Sequence, residues 1–409
     1  MPEPPRLRRN RDFQLLWIGQ AASALGSRAS TVAYPLLVLT LTGSPADAGI
    51  VGFAATIPYL VLQLPAGVLV DRMDRRRAMI ACDVGRLTIL AGVAAAVATG
   101  HASLPLLVMA ALAEGCLTVV FNLAELSAIQ LLVPSEQLEA ALAQNEVRVR
   151  GAGLAGQPLG GFLFGLGRAV PFAADAASYA VSLLMLAAIR RPLAAADTGT
   201  RRHPWTEMLE GLGWLWRQPF LRSTTLIVAG SNGLFQAAIL AVIVVSRAHG
   251  ASPAVVGLIL AGWGGGGVAG AVTAGWLGTR LPAAAVVIGA NWVWALLLPV
   301  LALAPEPIAI ATAGAAMAFV GPAWNVVLGS IEMRLTPPSL LGRVQAVQMT
   351  AAYGAIPLGS LIGGFLLDRL GPEEAVWALA ACMLAVAVVA TLTPSVRRPP
   401  LSAPAAASL

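Results

Sequence analysis

Apolar runs long enough to cross a lipid bilayer follow one another along almost the whole chain, and this succession constrains the fold more than any other feature. A spanning helix needs about 20 mostly apolar residues. Hydrocarbon offers nothing to satisfy backbone N–H and C=O groups, so each run must satisfy its own as a helix. Twelve spans are expected, near residues 13–41, 46–70, 78–98, 104–132, 143–167, 171–189, 222–246, 253–278, 283–303, 307–333, 342–367 and 372–393. Charge is correspondingly scarce: 57% of the 409 residues are hydrophobic and 11% charged, against roughly 25% charged in a soluble domain. Mean hydropathy is +0.77. The predicted fold class is therefore an all-α membrane protein with twelve transmembrane helices. The first run is too long for a signal peptide and lacks a small-residue cleavage site, so it is read as a retained helix.

The arginines set the expected orientation. Four lie in the N-terminus (Arg6, Arg8, Arg9, Arg11), four in the second loop (Arg72, Arg75, Arg76, Arg77) and six in and around the central loop (Arg190, Arg191, Arg201, Arg202, Arg217, Arg222). The opposite loops hold Arg168, Arg247 and Arg369. Positive charge is retained on the cytoplasmic side, so both termini and the central loop are expected there. That bias also accounts for the net charge of +6 without nucleic acid, since no basic face is studded with aromatics. Every basic residue is arginine, which with the abundant alanine suggests a GC-rich bacterial source and hence a bacterial cytoplasmic membrane.

Several function classes drop out. Cys82, Cys116 and Cys382 sit in apolar runs without metal or disulfide spacing, so neither a metal site nor a disulfide framework is expected. His101, His203 and His249 fall in loops, and there is no HExxH, no GxSG and no Walker motif. An intramembrane enzyme and an ATP-driven pump are both disfavoured, and no cofactor is expected.

Polar segments divide the chain into a cytoplasmic N-terminus (1–12), a six-helix half (13–189), a linker (190–221), a second half (222–393) and a cytoplasmic tail (394–409). Within the linker, Trp205, Met208, Leu209, Leu212, Leu215 and Trp216 recur at helical spacing, which suits a helix in the membrane interface. The halves resemble each other. A shift of 203 residues lays Pro134 on Pro337, Gly151 on Gly354, Gly156 on Gly359 and Gly160-Gly161-Phe162-Leu163 on Gly363-Gly364-Phe365-Leu366. Two such repeats imply a binding site at the midplane between them and rocking of one against the other. A monomer is expected.

Charges inside spans are costly, at least about 2.5–3.5 kcal/mol at a helix centre, and mark candidate functional groups. Glu114 lies halfway along the fourth span, nearly three turns from Glu125 and so on the same face. It is the leading candidate for proton coupling, with Arg28 in the first span as its expected partner and Glu125 and Asp175 as further candidates. Asp83 and Arg86, at i, i+3, are expected to pair as support for the second loop. Glu146, Arg148, Arg150, Glu332 and Arg334 are expected to form one cytoplasmic charge network. Asn232, Gln236, Phe319, Trp324 and Asn325 are the candidate substrate lining, and their aromatic and amide groups suit an amphipathic organic molecule.

The motif G-x-x-x-D-R-x-x-R-R, met by Gly67, Asp71, Arg72, Arg75 and Arg76, resembles the signature loop of the major facilitator superfamily. The surrounding text resembles its bacterial exporters, the branch that includes enterobactin and macrolide exporters. The resemblance implies two pseudo-symmetric six-helix halves. It also implies a conformational latch at Gly67, Asp71, Arg72 and Arg76, in which Gly67 lets helices approach and Asp71 faces the start of the eleventh span. Gly151, Gly156, Pro158, Gly160 and Gly161 are similar to the antiporter glycine series of helix five, with the proline displaced by one residue. One departure stands out: relatives carry a carboxylate in the first span where this chain has Ser27 and Arg28. The implied function is proton-coupled efflux of a small amphipathic molecule across the bilayer. The alternative is import or uniport of a metabolite, and a transport-dead sensor is more remote.

Overall fold

A computed structural model describes residues 7–191, 193, 204–304, 306–337 and 340–399; the linker arginines Arg201 and Arg202 and most of the expected tail lie outside the described residues. The described residues form fifteen α-helices and no strand: α1 Arg11–Thr42, α2 Pro45–Arg72, α3 Arg75–Ala98, α4 Leu104–Leu132, α5 Leu138–Leu166, α6 Val170–Ala188, α7 Pro204–Arg217, α8 Pro219–Ala248, α9 Pro253–Arg280, α10 Ala283–Leu297, α11 Val300–Leu303, α12 Pro307–Leu335, α13 Leu341–Leu370, α14 Pro372–Leu392 and α15 Pro394–Arg397. Seven of them begin at a proline, the residue that fits a first helical turn because its missing N–H has no partner to lose there. Side-chain caps mark other starts. Asn10 accepts from the Phe13 N–H at 3.2 Å, and Asp74 accepts from the Arg77 N–H at 2.9 Å.

Eleven stretches among the described residues are long and apolar enough to cross a membrane, with α10 and α11 together forming one of them, Ala283–Leu303. The twelfth place belongs to α5, whose 29 residues are long enough but whose hydropathy is lowered by Glu139, Glu146, Arg148 and Arg150.

The chain divides into two compact units, residues 1–200 with 252–261, and residues 201–251 with 262–409. In the first, α1 packs on α5 and α6, α2 on α4, and α3 on α4 and α6. Its ends are tied together: Asn10 donates to the Leu132 carbonyl at 2.8 Å, and Asp12 accepts from the backbone of Arg190 and Arg191. The first turns of α9 cluster with this unit because Gly257 lies against the Gln157 carbonyl and Pro158, so the division does not follow the linker alone.

In the second unit α8 packs on α13 and α14, and α10 on α12 and α14. The short helix α7 docks on α13, where Gly211 lies against the Arg343 backbone and Glu210 pairs with the Arg343 guanidinium at 2.6 Å. Leu215 is buried in this unit, and Leu209, Leu212 and Trp216 remain exposed. The side chains of 204–207, including Trp205, lie outside the described residues.

The sequence repeat has a packing meaning. A Cβ at Gly156 or Gly160 would collide with Leu25, Arg28 and Ala29 of α1, while one at Gly359 or Gly363 would collide with Gly233 and Ala237 of α8. Both units therefore press a glycine face against their first spanning helix, and the glycines bring Leu25 and Ala29 into register with Gly233 and Ala237.

Candidate functional site

Gln20, Ser23, Ser27, Ser30 and Tyr34 recur along α1 at alternating intervals of three and four, which puts them on one face. That face meets α6. Gln20 Nε2 donates to Ser182 Oγ at 2.8 Å, and Ser27 Oγ lies 2.9 Å from the Tyr179 hydroxyl. Beside the stripe, Gly26 admits α6 so closely that a Cβ there would strike Asp175 and Ser178.

From α6 the network reaches α3 and α4. Ser182 Oγ donates to Asp83 Oδ2 at 2.6 Å, and Asp83 forms a short ion pair with Arg86, both fully enclosed. The Arg86 guanidinium lies 4.1 Å from the Phe121 ring centre and 4.6 Å from that of Tyr179, two cation–π contacts that help hold the buried cation. Tyr179 donates to Glu114 Oε1 at 3.3 Å, and Tyr34 to Oε2 at 3.2 Å. The Tyr34 ring is held edge-on to Phe172 at 5.0 Å. Asp175, 0% exposed, accepts from Ser178 Oγ at 3.1 Å, and its Oδ2 has no hydrogen-bond partner among the described residues.

Buried ions persist when paired or hydrogen-bonded, and the two kinds of support separate these carboxylates. Asp83 is neutralised by Arg86. Glu125 is neutralised by Arg148 of α5, at 2.8 Å. Glu114 and Asp175 rest on hydroxyl donors and have no arginine within 4.0 Å among the described residues.

Several expectations are corrected. Arg28 is not the partner of Glu114: two tyrosine hydroxyls take that place, and the exposed Arg28 points off the polar stripe. The expected single charge network resolves into separate contacts. Arg148 joins Glu125, Glu146 joins Arg150 at 2.7 Å, and Glu332 accepts from the Gln348 amide at 2.6 and 2.8 Å, while Arg334 is exposed. Asp83 and Arg86 do pair, but deep within the polar network rather than under the second loop.

The second loop also differs from expectation. A Cβ at Gly67 would meet open space, so no helix is packed against it in this structure. Arg76 donates to the Leu186 and Ala187 carbonyls at 2.9 and 2.6 Å, closing the C-terminal end of α6, where the helix dipole favours a cation. Its side chain is thus committed within its own unit. Asp71 ends α2, where the dipole disfavours an anion, and lies 3.8 Å from Arg75; Arg72 is exposed beside it. The helix-five glycines meet different neighbours: Gly151 faces open space, Gly156 and Gly160 seat α1, and Gly161 seats the first turn of α9.

The second unit repeats the layout without the charges. A shift of 208 residues, which aligns the starts of α3 and α10, replaces Asp83 by Asn291 and Arg86 by Trp294. The 203-residue shift, which aligns α4 with α12, replaces Glu114 by Met317. Asn291 bonds Ser231 at 3.1 Å, and Phe235, Trp294, Met317 and Met383 line a small apolar pocket. Trp324 is 3% exposed and packs edge-on to Trp294, so it belongs to the core and not to an open lining, a further correction. Of the other expected lining residues, Asn232 donates to the Ala352 carbonyl, Gln236 and Phe319 are half-buried, and Asn325 is exposed.

Sequence reasoning missed Tyr34, Tyr179, Ser27 and Ser182. The polar stripe of α1 was the available signal, since five hydrogen-bonding side chains on one face of an apolar helix require a polar neighbour.

The family profile described as transmembrane secretion effector matches residues 6–407. The multidrug efflux pump Tap of Mycolicibacterium fortuitum is 28% identical over 400 residues, covering 94% of this chain and 96% of that protein. Macrolide efflux protein A of Streptococcus pyogenes is 33% identical over 128 residues, 31% of each chain. Among solved structures, the nucleoside transporter NupG aligns with a TM-score of 0.76 at 12% identity, covering 93% of this chain and 98% of its own. A bacterial homologue of the iron transporter ferroportin, in an inward-facing state, aligns with a TM-score of 0.67 at 15% identity over the same shares. At these identities the two structures speak for the fold alone.

Proposed function

Because the chain belongs to the transmembrane secretion effector family of the major facilitator superfamily, we propose that it is a proton-coupled secondary exporter of amphipathic organic molecules. The observation that carries this reading is Glu114, a half-buried carboxylate midway along α4 held by two tyrosine hydroxyls. Neutral donors can serve either the ionised or the protonated acid. Asp83 and Glu125 lack that freedom, because protonating either would leave an uncompensated arginine in a low-dielectric interior. Asp175, also without an arginine, is the secondary acceptor.

The direction of transport follows the relatives, whose names describe efflux. With no Walker motif in the sequence, a gradient supplies the energy. Two repeats working by alternating access, with cytoplasmic termini, let Glu114 load a proton from outside and release it inside as substrate moves outward. Asp71, with Arg72 beside it, is assigned to closure of the cytoplasmic side; Asp71→Asn is expected to change the inward-to-outward balance measured by cysteine accessibility.

The test uses everted membrane vesicles with an acid interior and three fluorophores: cationic rhodamine 6G, neutral Nile red and anionic pyrenebutanesulfonate. At least one should accumulate in a nigericin-sensitive manner, and Glu114→Gln should remove that accumulation. Gradient-driven movement out of the everted vesicles would identify an importer, and gradient-independent movement would remove proton coupling.

A further inference from the structure

Arg28 carries a charge in the middle of α1 that the polar network does not use. It sits near the middle of a 32-residue spanning helix, exposed, with no carboxylate within 4.0 Å among the described residues. Charged groups at that depth are costly and face a polar cavity or a partner. The surrounding face identifies which. Helical periodicity groups Arg28 with Ala21, Ala24, Leu25, Thr31, Val32 and Pro35; Leu25 and Val32 turn toward the interior, and the outer flank, Ala21, Ala24, Thr31 and Pro35, is small or polar and at least partly exposed. The lipid-suited exposed positions of the neighbouring α2, by contrast, are Leu60, Val61 and Leu69. The Arg28 face is therefore built for an aqueous space.

Its stem is fixed, and its head makes no hydrogen bond or ion pair among the described residues. Gly156 of α5 lies so close to the Arg28 Cβ that any side chain there would displace it, so the helix-five glycine series sets where the guanidinium stands. In the second unit, the register fixed by Gly359 and Gly363 puts Gln236 at the position equivalent to Arg28. Gln236 too has no hydrogen-bond partner among the described residues.

From this geometry we infer that Arg28 is a substrate-binding residue and that the exported molecule carries an anionic group, a carboxylate, sulfonate or phosphate, on an amphipathic body. The guanidinium fork holds two oxygens of such a group, and the bound anion completes the charge pairing that the protein leaves open. The inference rests on the exporter reading for the word "exported" only; the binding preference stands independently of it.

The experiment measures calorimetric binding of two probes to the purified full-length protein. Pyrenebutanesulfonate and pyrenebutyltrimethylammonium share an aromatic body and carry opposite permanent charges. The wild type should bind the sulfonate about tenfold or more tightly than the ammonium, the scale of a charge-assisted hydrogen bond. Arg28→Gln should erase the difference, Arg28→Lys should keep part of it, and Arg28→Glu should reverse it. Equal or stronger binding of the ammonium by the wild type would overturn the inference, as would an Arg28→Gln variant that binds the sulfonate as well as the wild type does. Should Arg28→Gln fail to fold, the wild-type preference and Arg28→Lys still decide. A sulfonate preference without proton-driven flux in the vesicles would remove the exporter reading and leave this one; proton-driven flux of rhodamine 6G with no sulfonate preference would do the opposite.

Discussion

At the scale of single residues, the choice between ionic and neutral partners governs what each buried carboxylate can do. Asp83 and Arg86 form a closed pair, so Asp83→Asn or Arg86→Gln alone strands a buried charge or donor set and is expected to destabilise by about 3–5 kcal/mol. The double variant should recover much of that loss, and thermal unfolding of the purified protein in detergent measures both. Glu114 should respond differently: Glu114→Gln keeps a group that accepts from one tyrosine hydroxyl, and its unfolding temperature should change little while gradient-driven uptake disappears. The sequence showed the intramembrane charges and the Asp83–Arg86 pair, but it gave Glu114 the wrong partner. Glu114 and Arg28 share a depth, yet they lie on helices whose facing sides are set by glycines and tyrosines, and depth alone carries no azimuth.

At the scale of elements, glycine faces and helix ends do the positioning. Gly160 and Gly363 hold corresponding helices against Ala29 and Ala237, so Gly160→Leu and Gly363→Leu should each force a helix outward and destabilise by about 1–3 kcal/mol, read as a lowered unfolding temperature. The repeat that predicted this symmetry was legible because close packing admits glycine alone, which leaves a periodic trace in the sequence. Arg76 illustrates what was not legible. Its motif suggested a latch, but its guanidinium closes the last turn of α6, 110 residues away in sequence. Arg76→Gln should therefore cost about 0.3–1 kcal/mol of stability through the lost helix-end charge, whereas Asp71→Asn should leave unfolding unchanged and alter conformational balance. A motif names residue types, and only the fold decides which carbonyl an arginine meets.

At the scale of the whole molecule, the two repeats have diverged in chemistry while keeping one layout. Asp83, Arg86 and Glu114 in the first unit stand where Asn291, Trp294 and Met317 stand in the second. In the proposed exporter, proton handling falls to the first unit, and the second contributes an apolar, aromatic interior. The twelve spans and their order were legible from apolar run lengths, because the bilayer imposes them; the division of labour was not, since it rests on which side chains meet. An anionic substrate adds an energetic consequence. Moving one anion outward against one proton inward transfers two charges in the same electrical sense, and a potential of 100 mV contributes about 2.3 kcal/mol for each. A potassium–valinomycin potential, positive inside everted vesicles, should then accelerate uptake of pyrenebutanesulfonate more than that of Nile red. Proteoliposomes loaded with the pH dye pyranine decide whether Glu114 couples the two fluxes. A gradient of transported fluorophore, imposed with no initial pH difference, should drive protons in the opposite direction, and Glu114→Gln should abolish that proton movement; fluorophore transport by the wild type without any pH change, or an undiminished proton signal in Glu114→Gln, would rule out proton exchange at this carboxylate.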